Sequence, residues 1–278
     1  MASTSSSAQP TCAFCHKSAS EFEPPVKLLN YCSPDDQKLD WKRHKPACLS
    51  RRHGEPYVAH IDFDRSTTDY SPWFKPVLDA VKSRTYALVA NPAELRSLLE
   101  HPILPTAVLC TSAALAKKKH ANLRASLRTY IEQGGRVVVG GPGVNHLPMD
   151  EIPLLLSELG GVPWQVKGYH RTTHFLNSAH ALYAAAEGDS RARAALPASY
   201  SCKAIVLKGV APHDALYRST SYSGVESLAM AMHGGKVASD EVAVATAKVG
   251  EGWLSWVGDV NQEAGSTAAM LWLLGVKR

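Results

Sequence analysis

The chain has 278 residues, of which 45% are apolar and 20% charged, a balance that excludes wholesale disorder and suits one large domain or a small module followed by a medium one. No run approaches the roughly eighteen uninterrupted apolar residues of a membrane span, so no spanning helix is expected. The 30 basic and 25 acidic residues leave a net charge of +5 that is spread along the chain, so nucleic acid is not the expected partner.

Met1 to Pro10 is rich in Ser and Ala, with neither a basic start nor an apolar stretch. It reads as part of a disordered tail over residues 1–11. No secretory signal is expected, and the expected compartment is the cytoplasm or nucleus. Of the six cysteines, Cys12, Cys15, Cys32 and Cys48 lie in the first fifty residues, while Cys110 and Cys202 stand singly. A local cluster in a reducing compartment points to metal ligation instead of disulfides, and thiolates with an imidazole nearby suit structural zinc. Cys12-Ala-Phe-Cys15 puts two thiolates on one tight turn. His44 and Cys48 are four apart in a stretch that reads as helix, so both leave one face. The basic run Lys42, Arg43, Lys45, Arg51, Arg52 and the run Lys117 to Lys119 read as solvated surface. An acidic partner, or a nucleic-acid role, would rest on the first run alone.

The run from Tyr31 to Cys48, YCSPDDQKLDWKRHKPAC, resembles the C-terminal half of the MYND-type zinc finger, and the likeness covers residues 12–48 within a module spanning 12–52. That family holds two zinc ions with eight interleaved ligands. By this resemblance Cys12 and Cys15 are the first pair, Cys32 the fifth ligand, His44 the seventh and Cys48 the eighth. No second CxxC lies between His16 and Asn30, and Asp36 stands where the sixth ligand would be. Three arrangements stay open: one zinc on Cys12, Cys15, Cys32 and Asp36; one zinc that recruits His44 or Cys48; or no metal. The resemblance implies a protein-interaction role for the module, with short proline-containing peptides as partners.

From Pro56 the texture changes. Val58 to Phe63 reads as a strand, and Ser71-Pro72 opens a helix carrying Trp73, Val77, Leu78 and Val81. Tyr86 to Ala90 reads as a second strand, and Asn91-Pro92 as a helix start before Leu95, Leu98 and Leu99. Ala107 to Cys110 is a third strand. Leu123, Leu127, Tyr130 and Ile131 mark a helix ending at Gly134-Gly135, and Arg136 to Gly141 is a fourth strand. This alternation predicts βαβ units and a parallel sheet covered on both faces. Beyond it, Ile152 to Leu159 reads as helix, Trp164 to Leu176 and Lys203 to Val210 as strands. Glu241 to Val249 and Trp253 to Val260 form a hairpin around Gly250-Glu251-Gly252, before a last helix over Ala268 to Leu274.

Leu127 to Gly140 and Val249 to Asn261 resemble the class I glutamine amidotransferase-like superfamily, which includes ThuA-type proteins. The likeness implies an α/β domain over residues 56–278, with a flavodoxin-like, mostly parallel sheet sandwiched by helices. The active enzymes place a cysteine in a GxCxG turn after a strand; here Val139-Gly140-Gly141-Pro142-Gly143 puts Gly141 at that position. A glycine cannot attack an amide, so a working glutamine amidotransferase is not expected. Cys110, in a strand, reads as a buried thiol. The Gly140–Gly143 loop reads either as an anion cradle or as a tight turn. His170 and His174, with His180 nearby, read as exposed or hydrogen-bonded in the absence of a well-placed carboxylate partner, the alternative being that they line a pocket or hold a metal. Asp259 and Asn261 either face a crevice or cap a helix. The alternative to a binding protein is an enzyme using the crevice near Gly141, His146 and Asp259.

Overall fold

Residues 34–64, 72–82, 85–186, 188–226 and 237–276 are described by the structure, a computed structural model. The expected tail and Cys12, Cys15 and Cys32 lie outside the described residues, as does the side chain of His44. The first element is a helix, α1 (Pro34–His53), with Asp35 and Asp36 in its first turn, where carboxylates favour the helix dipole. It rests on the rest of the chain through buried Asp40, whose carboxylate lies 3.6 Å from His101, and through buried Ala47.

The alternating region folds as β1 (Val58–Ile61), α2 (Lys75–Val81), β2 (Tyr86–Val89), α3 (Pro92–Leu99), β3 (Ala107–Cys110), α4 (Ala121–Glu132) and β4 (Arg136–Gly140). Local chemistry sets the boundaries. The Asn91 side chain accepts from Ala93 N and Glu94 N at 3.0 Å each, and Pro92 follows at the first helical position. On α4, Leu123, Leu127, Tyr130 and Ile131 are all buried, as their helical spacing requires. In α2 the apolar face differs from expectation. Trp73 is 65% exposed and Phe74 is fully buried, because the helix begins only at Lys75 and the preceding turn swings Phe74 inward.

After α5 (Glu151–Gly160) come β5 (Gln165–Leu176), two five-residue helices α6 (Ala181–Ala185) and α7 (Ser190–Ala194), β6 (Ser199–Lys208), β7 (Ala215–Arg218), β8 (Val242–Val249), β9 (Gly252–Val257) and α8 (Ala264–Leu273). The strands form a sheet in the order β2-β1-β3-β4-β9-β8-β6-β5-β7, and β7 pairs back onto β8. β2, β1, β3, β4 and β9 run parallel. Every pairing beyond β9 is antiparallel.

This corrects the expected flavodoxin-like, mostly parallel sheet. The pairings β8–β6, β6–β5, β5–β7 and β7–β8 close a ring of four antiparallel strands, so the sheet is mixed, and one half curls on itself. The physical reason lies in the connections and the burial pattern. Parallel neighbours need a crossover of a dozen or more residues, usually a helix, whereas only Gly250 and Glu251 join β8 to β9. Along β5, His170, Thr172 and His174 are buried and alternate with half-exposed Arg171 and Thr173, the mark of a strand with one wetted face.

In the parallel half both faces are covered. Ala59, Ile61, Val137 and Val139 pack with α3, α4 and α5 through Leu95, Leu127 and Leu155. Val58 and Val138 point the other way, onto Val77, Leu78, Met270 and Leu271 of α2 and α8. Leu127 is fully buried in the first of these clusters. Leu127→Ala therefore costs about 2–5 kcal/mol, read as a lower urea midpoint at unchanged slope.

Candidate functional site

The carboxyl ends of β1, β3, β4 and β9 come together, and the segments leaving them carry Asp64, Thr111, Ser112, Gly141, Asn145 and Asp259. Asp64 accepts from the Ser112 hydroxyl and from Ala114 N, both at 2.9 Å, which pins the first turn after β3. At the end of β4 the chain turns sharply at Gly141, whose φ is +98°. A Cβ added there would lie 3.0 Å from the Phe74 ring and 3.1 Å from the Thr111 methyl. The place where a nucleophilic side chain would project is filled by an aromatic ring. Gly141 O and Gly143 O accept from Asn145 N and His146 N, so this buried loop is a tight turn closed on its own backbone.

Among the described residues no hydrogen bond or ion pair joins His146 to Asp259. His146 is exposed, and its Nδ1 is held by Pro142 O. Asp259 is 1% exposed; its Oδ1 accepts from Asn261 N at 3.0 Å and its Oδ2 from Glu263 N at 2.7 Å. Burial pushes its carboxyl above the usual range, and these donors and Ser266 oppose the shift. The carboxylate organises the turn that leads into α8, without capping the helix itself. Thiol chemistry is equally constrained. Burial pushes the Cys110 thiol up to about 12 and that of Cys202 well above its ordinary value, so neither presents a thiolate near neutrality.

Two residues with no sequence signal stand beside Asp259. Asn145 Nδ2 and Gln262 Nε2 both donate to Asp259 O, at 2.7 and 2.8 Å. Turning either amide over would set oxygen against oxygen, so their orientation is fixed. It leaves Asn145 Oδ1 and Gln262 Oε1 buried with no partner among the described residues. Buried acceptors of this kind call for a donor, ordinarily an internal water. Gln262 also has φ +57°, the one non-glycine positive φ among the described residues, a backbone cost kept only where its surroundings enforce it.

All three histidines are buried; His180 is hydrogen-bonded as expected, whereas His174 is neither exposed nor hydrogen-bonded among the described residues. His180 accepts from Leu182 N at 3.2 Å and starts α6. His170 Nε2 lies 2.9 Å from Glu241 Oε2, an ion-pair distance off the angle of a hydrogen bond, so a carboxylate partner does exist. His174 is fully buried and neither ring nitrogen has a hydrogen-bond partner among the described residues. Burial lowers its pKa to about 4; His170 adds to the shift, while Glu241 and Glu226 oppose it. A further histidine, His60 on β1, contacts Tyr86 Oη and Thr111 Oγ1, each at 2.8 Å, and burial aided by Lys82 lowers its pKa to about 3.

Among the described residues no group of three or more His, Cys, Asp or Glu side chains is placed to hold a metal ion. Asp36, His44 and Cys48 all fall on α1. At 1.5 Å per residue, Asp36 and Cys48 are about 18 Å apart along its axis and Asp36 and His44 about 12 Å. One ion cannot take Asp36 together with His44 or Cys48 from this helix. No helix among the described residues is long and apolar enough to cross a membrane.

No family model matches the chain, and no curated protein matches it by sequence. Among solved structures it is similar to a ThuA-like protein from Bacteroides uniformis, at 13% identity and a TM-score of 0.45, over 80% of this chain and 91% of that one. It is also similar to the β-galactosidase of Bacillus circulans sp. alkalophilus, at 14% identity and a TM-score of 0.46, and to that of the Antarctic haloarchaeon Halorubrum lacusprofundi, at 18% and 0.43. The likeness spans 80% of this chain but 31% of either galactosidase.

Among the described residues four buried histidines have a lowered pKa, His60, His120, His174 and His180, and the large shifts at His60 and His174 contribute most to the acid limb of stability. The folded chain keeps His60 and His174 neutral, whereas the unfolded chain protonates them near their ordinary value of 6.5. Stability is therefore full above about pH 6.5 and falls as the pH drops toward 4 and then 3. Urea midpoints measured from pH 7 to pH 4 decline, and His174→Gln flattens that decline.

Proposed function

We propose that this chain is a non-catalytic binding protein in two parts. An N-terminal zinc-held module captures a protein or short proline-containing peptide, and an amidotransferase-like body serves as its folded support. The observation that carries the reading is the turn after β4, where Gly141 replaces the nucleophile and Phe74 and Thr111 occupy the space a thiol would need. The commitment of both Asp259 oxygens to the turn before α8 and the raised thiol pKa values of Cys110 and Cys202 support it.

For the module, the geometry of α1 favours one zinc on Cys12, Cys15, Cys32 and Asp36 over a site that shares Asp36 with His44 or Cys48. Zinc here closes a fold and supplies no open coordination position. Plasma mass spectrometry on the full chain, purified without added metal, should give about one zinc per chain. That zinc should be lost on combined replacement of Cys12, Cys15 and Cys32 by Ala and kept in Cys48→Ala. A zinc-free chain, or zinc kept by the triple variant, would overturn this half of the reading.

For the body, glutamine yields no ammonia above the uncatalysed rate. Gly141→Cys restores none and destabilises the chain by about 1–3 kcal/mol, since the new residue must hold a positive φ against Phe74. Ammonia release abolished by Cys110→Ala or Cys202→Ala would refute the non-catalytic reading.

A further inference from the structure

At the other end of the sheet from Gly141, a cavity of about 480 Å³ opens between α8, the α6–α7 segment and the first residue of β4. Its size falls in the range of small-molecule pockets. Leu182, Leu271, Trp272 and Val276 give it an apolar wall, and Tyr183 backs Trp272 with ring centroids 6.4 Å apart. Its charged lining residues are Arg136, Arg191 and Asp189, an excess of one positive charge.

Arg136 is the informative one. Its guanidinium reaches the carboxyl end of α8, where Nη1 lies 3.6 Å from the position of a Cβ on Gly275. An arginine at such a place ordinarily bonds the last free carbonyls of the helix. Here Met270 O, Leu271 O and Trp272 O already accept from Leu274 N, Val276 N and Gly275 N, at 3.0, 2.9 and 3.0 Å. The described residues supply the Arg136 guanidinium with no ion pair or side-chain hydrogen bond. A fork of donors at the wall of an apolar cavity matches a carboxylate, which it binds through two parallel N–H···O bonds.

We infer that this cavity binds an apolar monocarboxylic acid, its hydrocarbon part against Leu271 and Trp272 and its carboxylate on Arg136. A phosphate or dianion is the poorer fit, because one guanidinium offers too few donors and Asp189 repels a second charge. The site is separate from the Gly141 turn and does not depend on the reading given for it.

Decanoate and decanol serve as probes, followed by calorimetric titration and thermal melting of the full chain. Decanoate should bind and raise the melting temperature, while decanol, equal in length and uncharged, binds at least about tenfold more weakly, the worth of one charge-assisted contact. Arg136→Gln removes the preference for the acid and leaves decanol binding as it was. Ala185→Phe, which fills the cavity from α6, abolishes binding of both. Equal affinity for acid and alcohol in the parent chain would overturn the proposal. So would undiminished decanoate binding to Arg136→Gln or to Ala185→Phe, and so would no decanoate binding to the parent chain.

Discussion

The double pairing of β9 is the constraint on which the rest of the structure depends. One edge of this strand bonds in parallel to β4 and the other antiparallel to β8, so it joins the two halves of the sheet. Glycines stand at both of its ends because neighbouring backbones come too close for a side chain. A Cβ at Gly252 would lie 2.1 Å from Gly135 O, and one at Gly258 would lie 2.1 Å from Ile205 O. Between them Trp256 is fully buried, and its Nε1 donates to Ile205 O at 3.3 Å. The strand thereby locks β4 and β6 to one another, and with them the turns that leave Gly140 and Val257.

Those turns define the candidate site, and their hydrogen bonds are directed inward. Asp259 spends its carboxylate on two backbone N–H groups and its carbonyl on the amides of Asn145 and Gln262. These polar groups hold two loops together. Phe74, brought in by the turn before α2, occupies the corner above Gly141. The cavity beside Arg136 belongs to the opposite end of the sheet, where the helices α6 and α7 are too short to cover the apolar side of α8.

The buried imidazoles show a different logic. His60 sits among strands packed on both faces and is held by two hydroxyl groups. His170 and His174 lie inside the antiparallel ring, near Glu241. Desolvation favours the neutral ring at each position for which a lowered pKa is given, so these residues bring acid sensitivity to a fold otherwise held by apolar packing.

By itself the sequence determined the elements whose signals are local. Asn91-Pro92 starts α3, the spacing of Leu123, Leu127, Tyr130 and Ile131 makes α4, and Gly250-Glu251-Gly252 turns β8 into β9. It also located the glycine at the turn after β4, since that absence is visible in the letters. Only the tertiary structure decided the rest. The antiparallel closure depends on β7, a four-residue strand with no periodic signature, finding β5 and β8 across long stretches of chain. The pairing of His170 with Glu241, the convergence of Asn145 and Gln262 on one carbonyl, and the inward turn of Phe74 in place of Trp73 are contacts between distant segments. Local propensity sets φ, ψ and periodicity over a few residues; which distant groups meet is fixed only when the whole sheet has chosen its order.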